Sequence, residues 1–283
     1  LDAIQKAKSS VQGATLYVNL EPCCHSNKRT PPCAQRLVAE GISTVVIANI
    51  DPHPEVSGKG IALLREAGIE VIAGVLAEQG ELLNEVFFHN QRTLRPFVHL
   101  KIASTLDGKI AMNNGQSQWI TGEQARMHAH QLRAEHMAIA IGAHTLRTDN
   151  PKLNVRLPDY TDQQPMRIVF SRSGQLPKDA HVFTDENREN TRVYINKDLD
   201  ETLAELYQQG VVNILLEGGA QLASSFLCGQ HVQRISHYVN PSYLGQGTSA
   251  LNDYGLSALA QRISIKHVEY RLLGEDFYLS GRV

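Results

Sequence analysis

Glu21-Pro22-Cys23-Cys24-His25 and, a few residues on, Pro31-Pro32-Cys33 gather three thiols and an imidazole into one short stretch. Cys23 and Cys33 each stand directly after a proline. Thiolates are soft metal ligands, and a helix N-terminus favours the thiolate, so a Pro-Cys step at a helix entry suits a zinc-bound sulfur. Three of the four cysteines lie in this cluster, which points to metal or redox chemistry rather than a disulfide framework. A buried structural cysteine set, or a structural zinc site completed by His25, accounts for the same residues. Cys24 is an extra thiol, and Cys23 is the better ligand because it follows Pro22.

The doubled Pro-Cys pattern after a strand fits the second ligand pair of zinc nucleoside and nucleobase deaminases. There an upstream His-x-Glu supplies the third ligand and the proton shuttle. Residues 1–22 contain no such string. Two occur downstream, and neither suits the role. In His53-Pro54-Glu55 the proline disfavours helical geometry at His53, and His267-Val268-Glu269 sits in a β-like segment. The expectation is a zinc site lacking one ligand and its general acid/base, and a chain that does not deaminate.

A second group of chemically capable residues lies beyond Pro96. Lys101 stands on an apolar strand, an unusual place for a lysine without a partner. Glu217 ends another apolar strand and needs donors, while Gly218-Gly219 opens a helix whose free N–H groups can meet a phosphate. The plain reading of that turn is a glycine-rich strand-to-helix connection, since it lacks a full Gly-x-Gly-x-x-Gly. Asp149-Asn150-Pro151 reads equally as an Asx-type turn. On a polar helix face, Arg133 by itself reads as solvated.

The elements that must position these groups follow from apolar runs and glycine stops. Strands are expected over Thr15–Leu20, Ser43–Ile50 and Ile69–Ala73, with helices over about Pro32–Glu40, Gly60–Ala67 and Ala77–Arg92. Past Pro96 the rhythm restarts with strand Phe97–Ala103, helix Gly122–Glu135 and strands Met137–Ile141 and Met166–Phe170. Strand Val211–Leu216, the helix after Gly219, strand Arg234–Val239 and a last strand over Asp276–Ser280 complete it. This alternation predicts two α/β units, 1–94 and 95–283. With 283 residues, 42% hydrophobic residues and net charge −2, the chain is globular, with no bulk attraction to nucleic acid or membranes. No apolar run approaches a membrane span, and a cytoplasmic location is expected.

Taken together, the strings Leu20-Glu21-Pro22-Cys23, Arg29-Thr30-Pro31-Pro32-Cys33, Asp51-Pro52-His53-Pro54 and Gly58-Lys59-Gly60 resemble one family. So do Ser104-Thr105-Leu106-Asp107-Gly108, Ser117-Gln118-Trp119-Ile120-Thr121, Asp149-Asn150-Pro151-Lys152-Leu153 and Glu217-Gly218-Gly219. It is the RibD family of bifunctional deaminase/reductases of riboflavin biosynthesis, and the resemblance covers essentially the whole chain. It implies a truncated cytidine-deaminase-like α/β/α domain followed by a dihydrofolate-reductase-like α/β domain. The implied reaction is NADPH-dependent reduction of a phosphoribosylamino-pyrimidine, preceded by zinc-dependent deamination in a full-length parent, with homo-oligomers, dimers foremost.

Carried over by position, the resemblance assigns zinc to Cys23 and Cys33. The spacing between them is one residue longer than the family pattern, an insertion within His25–Lys28. The cofactor is assigned to Ala103, Trp119, Thr145 and Asp149, and to the turn and helix start Gly219, Ala220, Gln221, Leu222, Ala223, Ser224 and Ser225. Substrate is assigned to Ser117, Arg133, Leu153, Arg156 and Glu217, with the two arginines suited to a phosphate. Lys101 and Asp149 are the expected chemical groups. Ser171-Arg172 replaces the usual acidic residue and hydroxyl after Phe170, and Arg172 is expected to face the cofactor's 2′-phosphate. The rival readings are a non-catalytic pyrimidine-nucleotide or zinc-binding scaffold and a dihydrofolate-type reductase with another substrate.

Overall fold

A computed structural model describes residues 2–25, 31–253 and 255–283, and the chain divides into the units Leu1–Leu94 and Arg95–Val283. In the first unit, α1 (Asp2–Gln5) precedes β1 (Thr15–Leu20), α2 (Cys33–Ala39), β2 (Thr44–Asn49), α3 (Lys59–Glu66) and β3 (Glu70–Ala73). The strands form a parallel sheet in the order β1-β2-β3. Ala34 and Leu37 of α2 and Ile61 and Leu64 of α3 pack with Val45 and Ile47 of β2. Gly41 ends α2 at φ 68°, letting the Ile42 N–H donate to the Leu37 carbonyl.

The expected helix over Ala77–Arg92 is two helices, α4 (Ala77–Leu83) and α5 (Glu85–Thr93). Asn84 leaves helical geometry at the break, and its side-chain amide donates back to the Gly80 carbonyl at 3.0 Å. Such a local bond competes with the helix ladder.

The second unit starts with β4 (Phe97–Thr105), β5 (Lys109–Ala111), α6 (Glu123–Ala134), β6 (Ala138–Gly142) and α7 (Ala143–Asp149). Next come β7 (Met166–Ser171), α8 (His181–Thr184), β8 (Thr191–Ile195), α9 (Leu199–Gln208), β9 (Asn213–Leu216) and α10 (Ala220–Cys228). The unit ends with β10 (Arg234–Asn240), β11 (Thr248–Ser249), β12 (Lys266–Leu273) and β13 (Asp276–Arg282). The main sheet runs β12-β13-β10-β4-β9-β6-β7-β8. Its six strands from β10 to β8 are parallel, and β13 and β12 add antiparallel at one edge. It is a mixed sheet.

The two faces of that sheet differ in chemistry. Val98, Leu100, Ile102, Ala138, Ala140, Ile168, Ile214 and Leu216 bury one face against Leu203 and Leu206 of α9 and Ala223 and Phe226 of α10. Strand alternation sends the intervening residues to the other face. There Ile139, Ile141 and Val169 meet Leu146 of α7 and Val182 of α8. Nearer β10, beneath α6, this second face mixes polar groups with the apolar contacts of Ala125 and Leu132 against Leu215, Tyr238 and Tyr278. His99 Nε2 lies 2.8 Å from Ser236 Oγ, which in turn bonds the Tyr278 hydroxyl at 2.8 Å. His128 Nδ1 lies 2.7 Å from the Tyr238 hydroxyl. Burial, with other cationic groups nearby, pushes the pKa of His99 well down, as suits a hydrogen-bonded neutral imidazole. Lys101 and Glu217 face this polar layer.

Candidate active site

Glu217 follows the last residue of β9 and meets Arg133 from α6. Arg133 Nε donates to Oε1 at 2.6 Å and Nη2 to Oε2 at 2.9 Å, while Nη1 donates to the Asn154 carbonyl at 3.0 Å. Lys101 Nζ of β4 lies 3.9 Å from the same carboxylate and 5.8 Å over the Tyr238 ring. Burial opposes charge on Glu217, but the Arg133 guanidinium, its hydrogen bonds and Lys101 outweigh it and hold the carboxyl down to about 2. Burial lowers the Lys101 pKa, opposed by Glu217 and reinforced by Arg133. The solvated position that Arg133's residue type alone suggests is therefore corrected. Its fork, suited to a phosphate, is taken by Glu217.

Around the pair stand the substrate-assigned Arg156 and Leu153, together with His130 and Arg167, which the sequence did not single out. His130 Nδ1 accepts the Arg156 N–H at 3.2 Å. Burial and then the charges of Arg133 and Arg156 push its pKa to about 4, so it is neutral near pH 7. Arg156 is exposed, with Nη1 bonded to Asn154 Oδ1 at 2.9 Å. Leu153 is buried, with left-handed backbone at φ 51°. The buried Arg167 donates to the Lys152 carbonyl at 3.2 Å and to Asp185 at 2.7 Å, tying this segment to β7 and α8.

Lys101, Ala103, Ser117, Thr145, Asp149, Glu217, Gly219, Ala220 and Ala223 come together on one cavity of about 190 Å³. Ser117 Oγ donates to Asp149 Oδ1 at 3.2 Å. Burial raises the Asp149 pKa, opposed by that hydrogen bond and by His144.

A second cavity of about 770 Å³ adjoins it and is lined by Thr145, Arg172, Gly219, Ala220, Gln221, Leu222 and Ser225 among others. It lies against the start of α10, whose first N–H groups lack helical partners. Small residues are required at this turn. A Cβ on Gly218 would come within 2.9 Å of Leu222 Cδ2, and one on Gly219 within 3.1 Å of Thr145 Oγ1. Gly219 N–H donates to that same hydroxyl at 3.1 Å. Arg147 and Lys197 also line this cavity. Lys197 pairs with Glu205 and lies 5.6 Å over the Tyr194 ring.

Two residues assigned to the cofactor lie outside both cavities. Trp119 is 67% exposed, with the Arg126 guanidinium 4.7 Å over its ring. Ser224 is buried, and its hydroxyl accepts the Asn252 N–H at 2.8 Å.

In the first unit, the Cys33 N–H at the start of α2 points to Cys23 Sγ at 3.5 Å. Glu21 fixes this approach. Its carboxylate accepts N–H groups of Asp51, Gly58 and Ile61 at 3.2, 2.9 and 3.1 Å. Gly60 must be glycine, because a Cβ would lie 2.0 Å from the Pro22 carbonyl oxygen. The Asp51-Pro52 and Gly58-Lys59-Gly60 strings thus serve to seat Glu21-Pro22-Cys23. No group of three or more His, Cys, Asp or Glu side chains suited to a metal is found among the described residues. The two thiols do not by themselves fit a complete zinc centre. Arg29, Thr30 and the insertion within His25–Lys28 fall on or across residues 26–30, outside the described residues.

A family model described as the RibD C-terminal domain matches residues 96–279. Riboflavin biosynthesis protein RibD of Actinobacillus pleuropneumoniae is 37% identical, over 98% of this chain and 81% of its own. That of Bacillus amyloliquefaciens is 38% identical, over 99% and 82%. The chain belongs to the RibD family. Acinetobacter baumannii RibD superposes with a TM-score of 0.87 at 36% identity, covering 99% of this chain and 84% of that one. A diaminohydroxyphosphoribosylaminopyrimidine deaminase/5-amino-6-(5-phosphoribosylamino)uracil reductase from Thermotoga maritima does so with 0.83 at 34% identity, covering 99% and 82%. The yeast reductase Rib7 shares the fold at 20% identity and a TM-score of 0.52. The mixed α/β sheet of the second unit matches the RibD reductase domain, with its dihydrofolate-reductase-like fold. No helix among the described residues is long and apolar enough to cross a membrane.

Proposed function

We propose that residues 95–283 are an NADPH-dependent reductase that converts 5-amino-6-(5-phosphoribosylamino)uracil to its ribitylamino product. One observation carries the reading. Lys101, Asp149 and an ionised Glu217 converge on a small cavity that opens beside a larger one at a glycine-lined helix start. The smaller cavity takes the pyrimidine and reacting sugar carbon, and the larger takes the dinucleotide. Its fit to a dinucleotide rests on the volume, the α10 N–H groups, the absence of a Cβ atom at Gly219, and the cationic Arg147, Arg172 and Lys197.

The cofactor, when bound, supplies the hydride. The protein's own groups do the rest. Glu217, kept ionised, accepts hydrogen bonds from ring N–H or amino groups and orients the pyrimidine. Lys101 balances the charge at the cavity floor, and Asp149 with Ser117 sets polar contacts beside the reacting carbon. Exposed Arg156 is the cation for the substrate phosphate, and Arg172 the one for the cofactor's 2′-phosphate.

We read residues 1–94 as the later part of a zinc deaminase domain, supported by Cys23 beside the first turn of α2. No deamination step is derived from two thiols. A homodimer through the second unit is supported by edge strand β12, whose Tyr270 and Leu272 are 84% and 63% exposed. Sedimentation of Y270K as monomer and of the unmodified chain as dimer would support it; equal mass for both would not. Offering phosphoribosylaminouracil and dihydrofolate in parallel with NADPH tests the substrate assignment. Turnover of the first alone is expected, and turnover of dihydrofolate instead would overturn it.

A further inference from the structure

The two cavities share a border. His144, Thr145, Gly219, Ala220 and Thr248 line both. Of these, His144 alone carries an imidazole, a side chain able to hold and hand on a proton. It is the second residue of α7, exposed, and close enough to Asp149 for its charge to act on that carboxyl.

The other charged groups facing this border come from every element around it. Arg147 and Asp149 stand on α7, Arg172 follows β7, and Lys197 and Asp198 follow β8. Lys101 of β4 and Glu217 after β9 face it from the smaller cavity. Few of them can give a proton there. Arginines do not titrate, and Glu217 is already ionised under two cations. Lys101 is held between Glu217 and the Tyr238 ring, and Asp149 is engaged as acceptor by Ser117.

The geometry points to His144 as the proton donor of the reduction, placed where the reacting carbon and the hydride source must meet. This rests on the reductase reading above. Hydride forms the new bond at the sugar carbon of the open-chain imine, and the carbon–nitrogen π pair moves onto nitrogen. That nitrogen takes the proton from the His144 imidazolium, which water then reprotonates. The atoms and charges balance, with the nicotinamide oxidised and the imine reduced.

The test compares the intact chain with H144Q, and with H144N as a second variant, across pH. Expected for the unmodified chain is a kcat/KM that falls as pH rises, the sign for a group that must carry its proton to react. The imidazole NMR resonance missing from H144Q should move over that same pH range. H144Q and H144N should lose at least about 10²-fold in kcat and lack this limb, with NADPH Kd and thermal midpoint unchanged. Variants that keep the kcat and the pH limb overturn the inference. So do variants that weaken NADPH binding at unchanged kcat, which would make His144 a cofactor ligand. No turnover by the unmodified chain sinks the reductase reading first and this inference with it, whereas turnover with unaffected variants sinks this inference alone.

Discussion

Arg133 and Glu217 meet in a partly buried, two-pronged ion pair, with N–O distances of 2.6 and 2.9 Å. The pair joins α6 to the end of β9 and leaves Glu217 charged beside Lys101. Removing one partner of such a pair leaves an uncompensated buried charge, which costs far more than the intact pair contributes.

Replacing Arg133 with methionine is therefore expected to destabilise the fold by about 3–5 kcal/mol, read by urea denaturation. Activity should fall with it. R133K should recover part of the stability but not the two-pronged geometry. A methionine variant as stable as the unmodified protein would mean that Glu217 finds its charge balance elsewhere.

Glu217 also sets a pH dependence. Its carboxyl is depressed to about 2 in the folded chain, against about 4.3 in an unfolded one. The folded state thus gains stability from this group above the unfolded value and loses it as pH falls toward 2. E217Q should lack that component, so its stability should vary less with pH across this window. Equal acid sensitivity in the two proteins would contradict the assignment.

For the larger cavity, G219V should weaken NADPH binding at least about tenfold, because its side chain occupies the space before the first N–H groups of α10. R172Q should weaken NADPH but not NADH. Both are measured by equilibrium binding to folded protein. Undiminished NADPH affinity in G219V would place the dinucleotide somewhere other than the α10 start.

Much of this site was legible from residue types. A carboxylate ending an apolar strand marked Glu217, a lysine inside another marked Lys101, and paired glycines marked the α10 start. The pairing of Arg133 with Glu217 was not legible, because the helix face of Arg133 reads as polar and only the sheet packed against it shows the contact. At Asn84 a continuous helical pattern breaks where the backbone leaves helical geometry and the side chain also bonds the Gly80 carbonyl, which periodicity does not register. α9 opens on a cap that the sequence carries in Asp198, whose side chain accepts the Glu201 N–H at 3.1 Å. His144 became notable only when folding placed it on two cavities at once, since a lone histidine in a sequence carries no such message.

Reduction at the paired cavities is read out by giving the folded chain NADPH deuterated at the transferable position together with 5-amino-6-(5-phosphoribosylamino)uracil. NADPH oxidation should be matched one to one by a ribitylamino product carrying deuterium at the former sugar C1. A chain that binds both ligands yet oxidises no NADPH, or forms a product without deuterium at that carbon, would contradict it.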